Sequence, residues 1–138
     1  MAHNSSGMSY HTNIVRDAAE NTNFRHVLHT GAKCQLVAMN IPAGESIGEE
    51  THAHVEQVLY FQSGRGVSVL DGRETPVERG DVVIVSPGTK HNFINTGSEP
   101  LIVATVYVPP NHIDGTVHKT KADAVADEAD EAFGEAIE

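Results

Sequence analysis

The chain has 138 residues, which is the size of one domain and enough to bury a hydrophobic core without disulfide bonds. Hydrophobic residues make up 39% of it and aromatic residues 5%, with no Trp, and the formal net charge is −10. Residues 122–138 hold seven of the 19 acidic residues and no Lys or Arg, so the rest of the chain is only mildly acidic. Because no cluster of Lys and Arg could neutralise a row of phosphates, nucleic acid and anionic membrane surfaces are excluded as expected partners.

The first seven residues, MAHNSSG, resemble a vector remnant, with Met8 as a native start. The N-terminus has no basic-then-apolar signal pattern, and the longest apolar stretch, residues 101–108, is too short to cross a bilayer as a helix. We therefore expect a cytoplasmic protein that does not enter membranes. The single cysteine, Cys34, excludes an internal disulfide, and its apolar neighbours predict a buried side chain.

Short apolar runs separated by turn residues fill the centre of the chain. They predict strands at residues 24–29, 33–41, 56–62, 66–70, 81–85, 91–95 and 101–108. Between Leu70 and the segment 73–77 stands Asp71-Gly72, a pair that favours the type I′ turn of a tight hairpin. Strands of this length and spacing, with no helical pattern between them, predict an all-β fold of antiparallel strands, as a sandwich or a barrel.

The spacing of apolar residues changes after Pro109-Pro110, a pair that cannot stand inside a strand. Between residues 121 and 138, apolar side chains recur at helical intervals and acidic residues occupy the other faces. The apolar members are Val125, Ala129, Ala132, Phe133, Ala136 and Ile137. We expect one short amphipathic helix that docks on the β-domain or on a second subunit. The predicted organisation is a vector remnant at 1–7, a β-domain at 8–118 and an acidic helix at 119–138.

Two segments carry residues suited to metal binding. In the first, His52 and His54 are two residues apart, so on a strand both imidazoles would point to one face. In the second, an apolar run from residue 81 enters a Pro-Gly turn and delivers His91. Three neutral imidazoles that converge from two strands form a site for one divalent metal ion, such as iron, manganese, zinc or nickel, and the sequence does not distinguish among these.

Together the two segments resemble the paired motifs of the cupin superfamily, G-x5-H-x-H-x3,4-E-x6-G and G-x5-P-x-G-x2-H-x3-N. The matching residues are Gly48, His52, His54 and Gly64 in the first motif and Gly80, Gly88, His91 and Asn95 in the second. The resemblance extends over roughly residues 24–118 and is to small single-domain metal-binding cupins, often labelled mannose-6-phosphate-isomerase-like. It implies a closed jelly-roll barrel with a metal ion inside, in most cases as a homodimer.

The first motif has shorter spacings here, with three residues between Gly48 and His52 and two between His54 and Gln57. Two residue types also depart from the motifs. Ser86 stands where the second motif has proline, and Pro87 follows one place later. The first motif has a glutamate as a ligand, and no glutamate occupies that position here. The apolar residues that follow in the strand align Gln57 with it. If His52 and His54 lie on the same strand, the alternation of side chains places Glu56 rather than Gln57 on their face. Only a bulge could bring Gln57 to that face. We predict Gln57 as the fourth protein ligand, with a hydrogen-bonding role inside the barrel as its alternative.

Several other side chains are candidates to line a substrate pocket. They are Glu56, Tyr60, Phe93, Tyr107 and Met39, and ordinary core packing is the alternative for the apolar and aromatic ones. Lys90 could meet a substrate anion at the barrel mouth, although a solvated lysine explains it equally. The histidines outside the motifs, at positions 26, 29, 112 and 118, are expected to have surface or local hydrogen-bonding roles.

These features favour a metal-dependent enzyme that acts on a small oxygen-rich molecule by dioxygenase-type or isomerase-type chemistry. The sequence assigns no catalytic residue. A non-catalytic barrel that binds or senses a small molecule is the alternative, because the fold alone does not decide function. With few basic residues to clamp a phosphate, hydroxy acids, diketones, catechols or unphosphorylated sugars are the expected ligands rather than phosphosugars.

Overall fold

A computed structural model describes residues 7–136. The helices are α1 (Ile14–Glu20), α2 (Lys121–Ala126) and α3 (Glu128–Ala136), and the strands are β1 (Arg25–Thr30), β2 (Gln35–Ile41), β3 (Glu56–Ser63), β4 (Arg65–Leu70), β5 (Arg73–Glu78), β6 (Val82–Val85), β7 (His91–Asn95), β8 (Leu101–Val108) and β9 (Val117–His118). Every predicted strand is present within a few residues of its expected bounds. The prediction of an all-β fold is therefore confirmed.

The strands form two antiparallel sheets. One sheet has the order β6-β3-β8-β2-β1-β9 and the other the order β5-β4-β7. Side chains of both sheets form one core, and in β3 buried side chains alternate with less buried ones, so that Leu59 and Phe61 are buried while Tyr60 between them is half-buried. The largest fully buried members of this core also include Met39, Phe93 and Tyr107.

Turn chemistry fixes the connections of the smaller sheet. Asp71 and Gly72 both have positive φ, at 49° and 82°, and Leu70 pairs with Arg73 across them. The predicted type I′ turn is thus present. The motif glycine Gly64 has a φ of +91°, and a Cβ added to it would lie 2.6 Å from the carbonyl oxygen of Pro100. Both the backbone conformation and the close approach therefore require glycine there.

Two described elements were not predicted from the sequence. Helix α1 is short, with Asn13 as its N-cap, and it buries Ala18. Strand β9 has only two residues and pairs with β1 through Arg25 and His118. Neither element is long enough to show a hydrophobic period. Most of the presumed vector remnant, residues 1–6, lies outside the described residues.

The C-terminal segment differs from its prediction. It forms two helices rather than one, with a break at Asp127, and Thr120 and Asp123 form a capping box at the start of α2. The predicted apolar stripe does not face the β-domain, since Val125 is 70% exposed and Phe133 38% exposed. The buried residues of α3 are Asp130 and Gly134, so this helix docks through a carboxylate and a glycine. Ile137 lies outside the described residues.

The close docking of α3 depends on Gly134, because a Cβ there would lie 3.1 Å from the carbonyl oxygen of Asn111. None of the helices within residues 7–136 is long and apolar enough to cross a membrane. The expected burial of Cys34 is wrong, since this residue is exposed in the turn before β2.

Candidate metal centre and adjoining cavity

The loop that joins β2 to β3 carries the first motif and is held against β7. Glu50 and His91 exchange two backbone hydrogen bonds, of 2.9 and 2.8 Å between nitrogen and oxygen. The amide of Gly88, in the Pro-Gly turn of the second motif, donates to the carbonyl oxygen of His52 at 2.7 Å. Backbone hydrogen bonds alone therefore hold the two motifs together.

Three potential metal ligands meet at this junction. One ligand atom from each of Glu50, His52 and His91 lies within 4.8 Å of the others. The Nε2 atom of His52 is 3.8 Å from a carboxylate oxygen of Glu50, and the ring centroids of His52 and His91 are 5.3 Å apart. Both histidines are buried and Glu50 is half-buried. This is a donor set of two imidazoles and one carboxylate, which suits a divalent transition metal.

The tautomer of His91 also suits a ligand. Its Nδ1 atom is 2.8 Å from the carbonyl oxygen of Thr89, which can only accept a hydrogen bond. Nδ1 therefore carries the proton in the neutral ring, and Nε2 carries the lone pair that a metal ion needs. A backbone carbonyl that orients the ligating imidazole in this way is the usual support of a histidine ligand.

The structure does not bring His54 into this cluster. His54 is exposed, whereas His52 and Val55 are buried. The prediction placed His52 and His54 on one strand face, but β3 begins only at Glu56. Because residues 51–55 have no strand conformation, the period of two does not apply to them. Glu50, which the sequence reasoning did not consider, stands with the two histidines instead; its backbone pairing with His91 could not be read from the motif.

Gln57 lies inside the barrel and Glu56 lies outside it. Gln57 is 3% exposed, and its Nε2 donates to the hydroxyl of Thr105 at 3.1 Å. The Oε1 atom of Gln57 is buried and has no hydrogen-bond partner among the described residues. Because a buried oxygen without a partner is costly, this atom fits the place of a metal ligand. The inward position agrees with the apolar register of β3, while ligation by Gln57 stays a prediction.

The predicted lining residues separate into two groups. Met39, Phe93 and Tyr107 are buried in the core, and the ring of Phe93 is 6.1 Å from that of His91. Tyr60 and Glu56 lie on the opposite face of β3 from its buried residues, and their role as lining residues stays a prediction.

Two further predicted residues have other roles. Lys90 is exposed, with its nearest acidic partner, Glu49, at 3.6 Å. The motif residue Asn95 is 1% exposed and joins three chain segments: its Nδ2 donates to the carbonyl oxygens of Ile41 and Glu99, and its Oδ1 accepts from the amide of Gly97. Asn95 is therefore a structural residue.

A cavity of about 460 Å³ adjoins the cluster, between the loop that carries the first motif and the C-terminal helices. Glu50 and His52 line one side of it, and Arg25, His112 and Asp130 are also part of its wall. The sequence predicts only surface or local roles for His112. It gives no sign of this wall, because Arg25, His112 and Asp130 come from three separate segments of the chain.

Burial and hydrogen bonding shift several pKa values along this wall. Burial raises the pKa of Tyr107, more than the positive charge of Arg25 lowers it. Burial also lowers the pKa of His112, more than the hydrogen bond that this imidazole donates to Asp130 raises it. For Asp130, burial acts to raise the pKa, but hydrogen bonds from His112 and the amide of Ile113 bring it below its usual range. At neutral pH, His112 is therefore neutral and Asp130 ionised.

The fold consists of two antiparallel sheets around one core, with a cluster of two histidines and a glutamate that could hold a metal ion. Residues 37–108 match the family described as "Cupin domain", and the chain belongs to the cupin family. This confirms the resemblance carried by the two motifs, and with it the jelly-roll barrel fold.

Individual relatives agree with this assignment. The chain is 43% identical over 122 residues to the uncharacterized protein YrkC of Bacillus subtilis, a match that spans 84% of this chain and 66% of that protein. The crystal structure of BH2720 from Bacillus halodurans superposes with a TM-score of 0.82 at 38% identity, over 85% of this chain and 93% of that one. An oxalate-binding protein of Thermotoga maritima is 29% identical over 84 residues, which are 61% of this chain and 69% of that protein.

Proposed function

We propose that this cupin binds one divalent metal ion through His52, His91 and Gln57. The observation that carries the proposal is the junction of the motifs, where two buried imidazoles meet within ligand distance of each other and of a carboxylate. The buried oxygen of Gln57, which has no hydrogen-bond partner among residues 7–136, supports the same donor set. The ion would act as a Lewis acid toward a carbonyl, carboxylate or hydroxyl oxygen, or would bind O2 if it is iron or manganese.

The remaining protein ligand comes from residues 50–54. The geometry favours Glu50 and the motif favours His54, so a matched pair of variants decides between them. Glu50→Gln and His54→Gln are each loaded with Mn²⁺, dialysed and analysed for bound metal. The variant that loses the ion identifies the ligand, and the other serves as its control for surface charge and folding.

The proposed role is that of a metal-dependent enzyme on a small oxygen-rich molecule. The cavity beside the cluster contains the buried cation Arg25, which suits a ligand with a carboxylate. The relative named as an oxalate-binding protein supports a small acid as the ligand class. The same name favours a second candidate function, in which the barrel binds such an acid without converting it.

Elemental analysis and oxygen uptake distinguish these possibilities. We expect about one ion per chain. Iron or manganese together with oxygen consumption in the presence of a diketone or catechol favours a dioxygenase, while zinc without oxygen consumption favours isomerase-type chemistry or binding alone. Tight, metal-dependent binding of mannose 6-phosphate, with no response to oxalate or other unphosphorylated compounds, would contradict the proposed ligand class.

A cytoplasmic location stays a prediction.

We also propose that the protein forms a homodimer. Two apolar surfaces suit a second subunit: the C-terminal stripe that contains Val125 and Phe133, and the outer face of edge strand β6, where Val82 and Ile84 are more than half exposed. Sedimentation equilibrium should give twice the chain mass at micromolar concentration. The monomer mass would contradict the dimer, and Val125→Glu and Ile84→Glu would show which surface forms it.

A further inference from the structure

A buried histidine–aspartate pair lines the same cavity as the proposed metal centre. The Nδ1 atom of His112 is 2.7 Å from a carboxylate oxygen of Asp130, and the other oxygen of Asp130 accepts from the amide of Ile113 at 2.8 Å. His112 is 7% exposed and Asp130 5% exposed. Two hydrogen bonds therefore fix the carboxylate, and the carboxylate fixes the imidazole, although the two residues come from separate segments of the chain.

This arrangement determines what the other ring nitrogen can do. An ionised Asp130 accepts the Nδ1 proton of His112, so Nε2 carries the lone pair of the neutral ring. Nε2 is buried and has no hydrogen-bond partner among the described residues. The ring also packs edge-on against Tyr107, with 5.0 Å between centroids, which fixes its plane. A buried acceptor of this kind, in the wall of a cavity, lacks the donor that would satisfy it.

The surroundings of the cavity indicate what kind of molecule brings that donor. Arg25 is 6% exposed, lines the same cavity, and has an Nε without a hydrogen-bond partner in the described part of the chain. Glu50 and His52 line the same cavity as His112 and Asp130, so the proposed metal centre and the pair face one space. A ligand that reaches from the ion to this wall meets a cation and a hydrogen-bond acceptor.

We infer that His112, oriented by Asp130, accepts a hydrogen bond from the hydroxyl group of a small hydroxy acid whose carboxylate interacts with Arg25. The inference rests on the proposed function and adds to it the residue that distinguishes a hydroxy acid from the same acid without its hydroxyl. His112 is then a ligand-binding residue, and Asp130 is a positioning residue.

The test compares L-malate with succinate, which differ by one hydroxyl, by calorimetry on the Mn²⁺-loaded protein. Wild type should bind malate about tenfold more tightly, because only malate supplies a hydrogen-bond donor to the buried acceptor. In His112→Leu that preference should vanish while succinate binding is retained. Asp130→Asn should weaken the preference, and His26→Gln, which lies outside the cavity wall, should keep it.

Each outcome is decisive. Equal affinity of wild type for the two acids, or a malate preference that persists in His112→Leu, would overturn the inference and leave the proposed function standing. Failure of the metal-loaded wild type to bind either acid would overturn the proposed ligand class, and this inference with it. If His112→Leu does not fold, His112→Phe replaces it, because the phenyl ring keeps a planar ring in that place and has no hydrogen-bond acceptor. Loss of the preference in that variant supports the inference, and its persistence overturns it.

Discussion

At the scale of single residues, Glu56 and Gln57 begin β3 and point to opposite faces of the sheet. Glu56 is exposed, whereas Gln57 is buried and holds an oxygen without a hydrogen-bond partner in the described structure. The apolar residues that follow in β3 determine this orientation, because Leu59 and Phe61 must share the inner face. Gln57 thus presents a neutral oxygen on the inner face, at the position that we predict to correspond to the carboxylate ligand of the motif.

This difference predicts opposite effects for two substitutions at Gln57. Gln57→Leu should reduce metal affinity by at least about tenfold, the loss typical even of residues that only support a ligand. Gln57→Glu should raise metal affinity, since a carboxylate adds a negative charge, and should destabilise the metal-free protein, since that charge is buried. Competition titration with a chelator measures the affinities and thermal unfolding measures the stability.

The matched control is Glu56→Gln on the outer face, which should bind metal like wild type. A loss of affinity in Glu56→Gln together with full affinity in Gln57→Leu would show that the inner face has been assigned incorrectly.

At the scale of elements, turn residues and strand periods predicted most of the fold. The period of two holds inside β3, where it places Gln57 correctly, and it fails at His54, because residues 51–55 are not a strand. Glu50 and His112 were not predicted as site residues, for a different reason. Their positions depend on tertiary pairing, of Glu50 with His91 and of His112 with Asp130, which no local pattern records.

The glycine at the end of β3 gives a prediction at this scale. Gly64→Ala should destabilise the protein by more than the ~1–2 kcal/mol that a left-handed backbone alone costs an alanine, because the new methyl group also collides with the backbone of Pro100. Gly115→Ala is the control, since Gly115 has a φ of +77° with no atom within 4 Å of the added Cβ. Urea denaturation measures both, and equal losses would contradict the collision.

At the scale of the whole molecule, the C-terminal helices close one side of the cavity through a polar contact. Asp130 joins α3 to His112 and Ile113, and Gly134 allows the approach. The apolar stripe of these helices stays exposed, so their docking on the β-domain depends on the ionisation of a few buried groups rather than on hydrophobic packing alone.

This dependence predicts loss of stability in acid. The pKa of His112 is lowered in the folded protein from its ordinary value of 6.5, so the unfolded chain binds the proton more readily. The stabilisation is complete above pH 6.5 and is lost as the pH falls toward the folded pKa, with a slope of at most about 1.4 kcal/mol per pH unit. Asp130, whose pKa is also lowered, adds a further loss below its ordinary value of 3.8.

His112→Gln should therefore show a smaller fall in unfolding free energy than wild type between pH 7 and pH 5. Urea titrations at the two pH values measure the difference. An identical pH dependence of the two proteins would show that His112 does not titrate on unfolding.

The central claim is that His52 and His91 belong to a metal centre at the junction of the two motifs. Its most direct test is the metal content of His91→Ala after loading with Mn²⁺ and dialysis, measured beside wild type and His26→Ala. We predict about one ion per chain in wild type and in His26→Ala, and almost none in His91→Ala, with the circular dichroism of the β-sheets unchanged. Full metal content in folded His91→Ala would contradict the account.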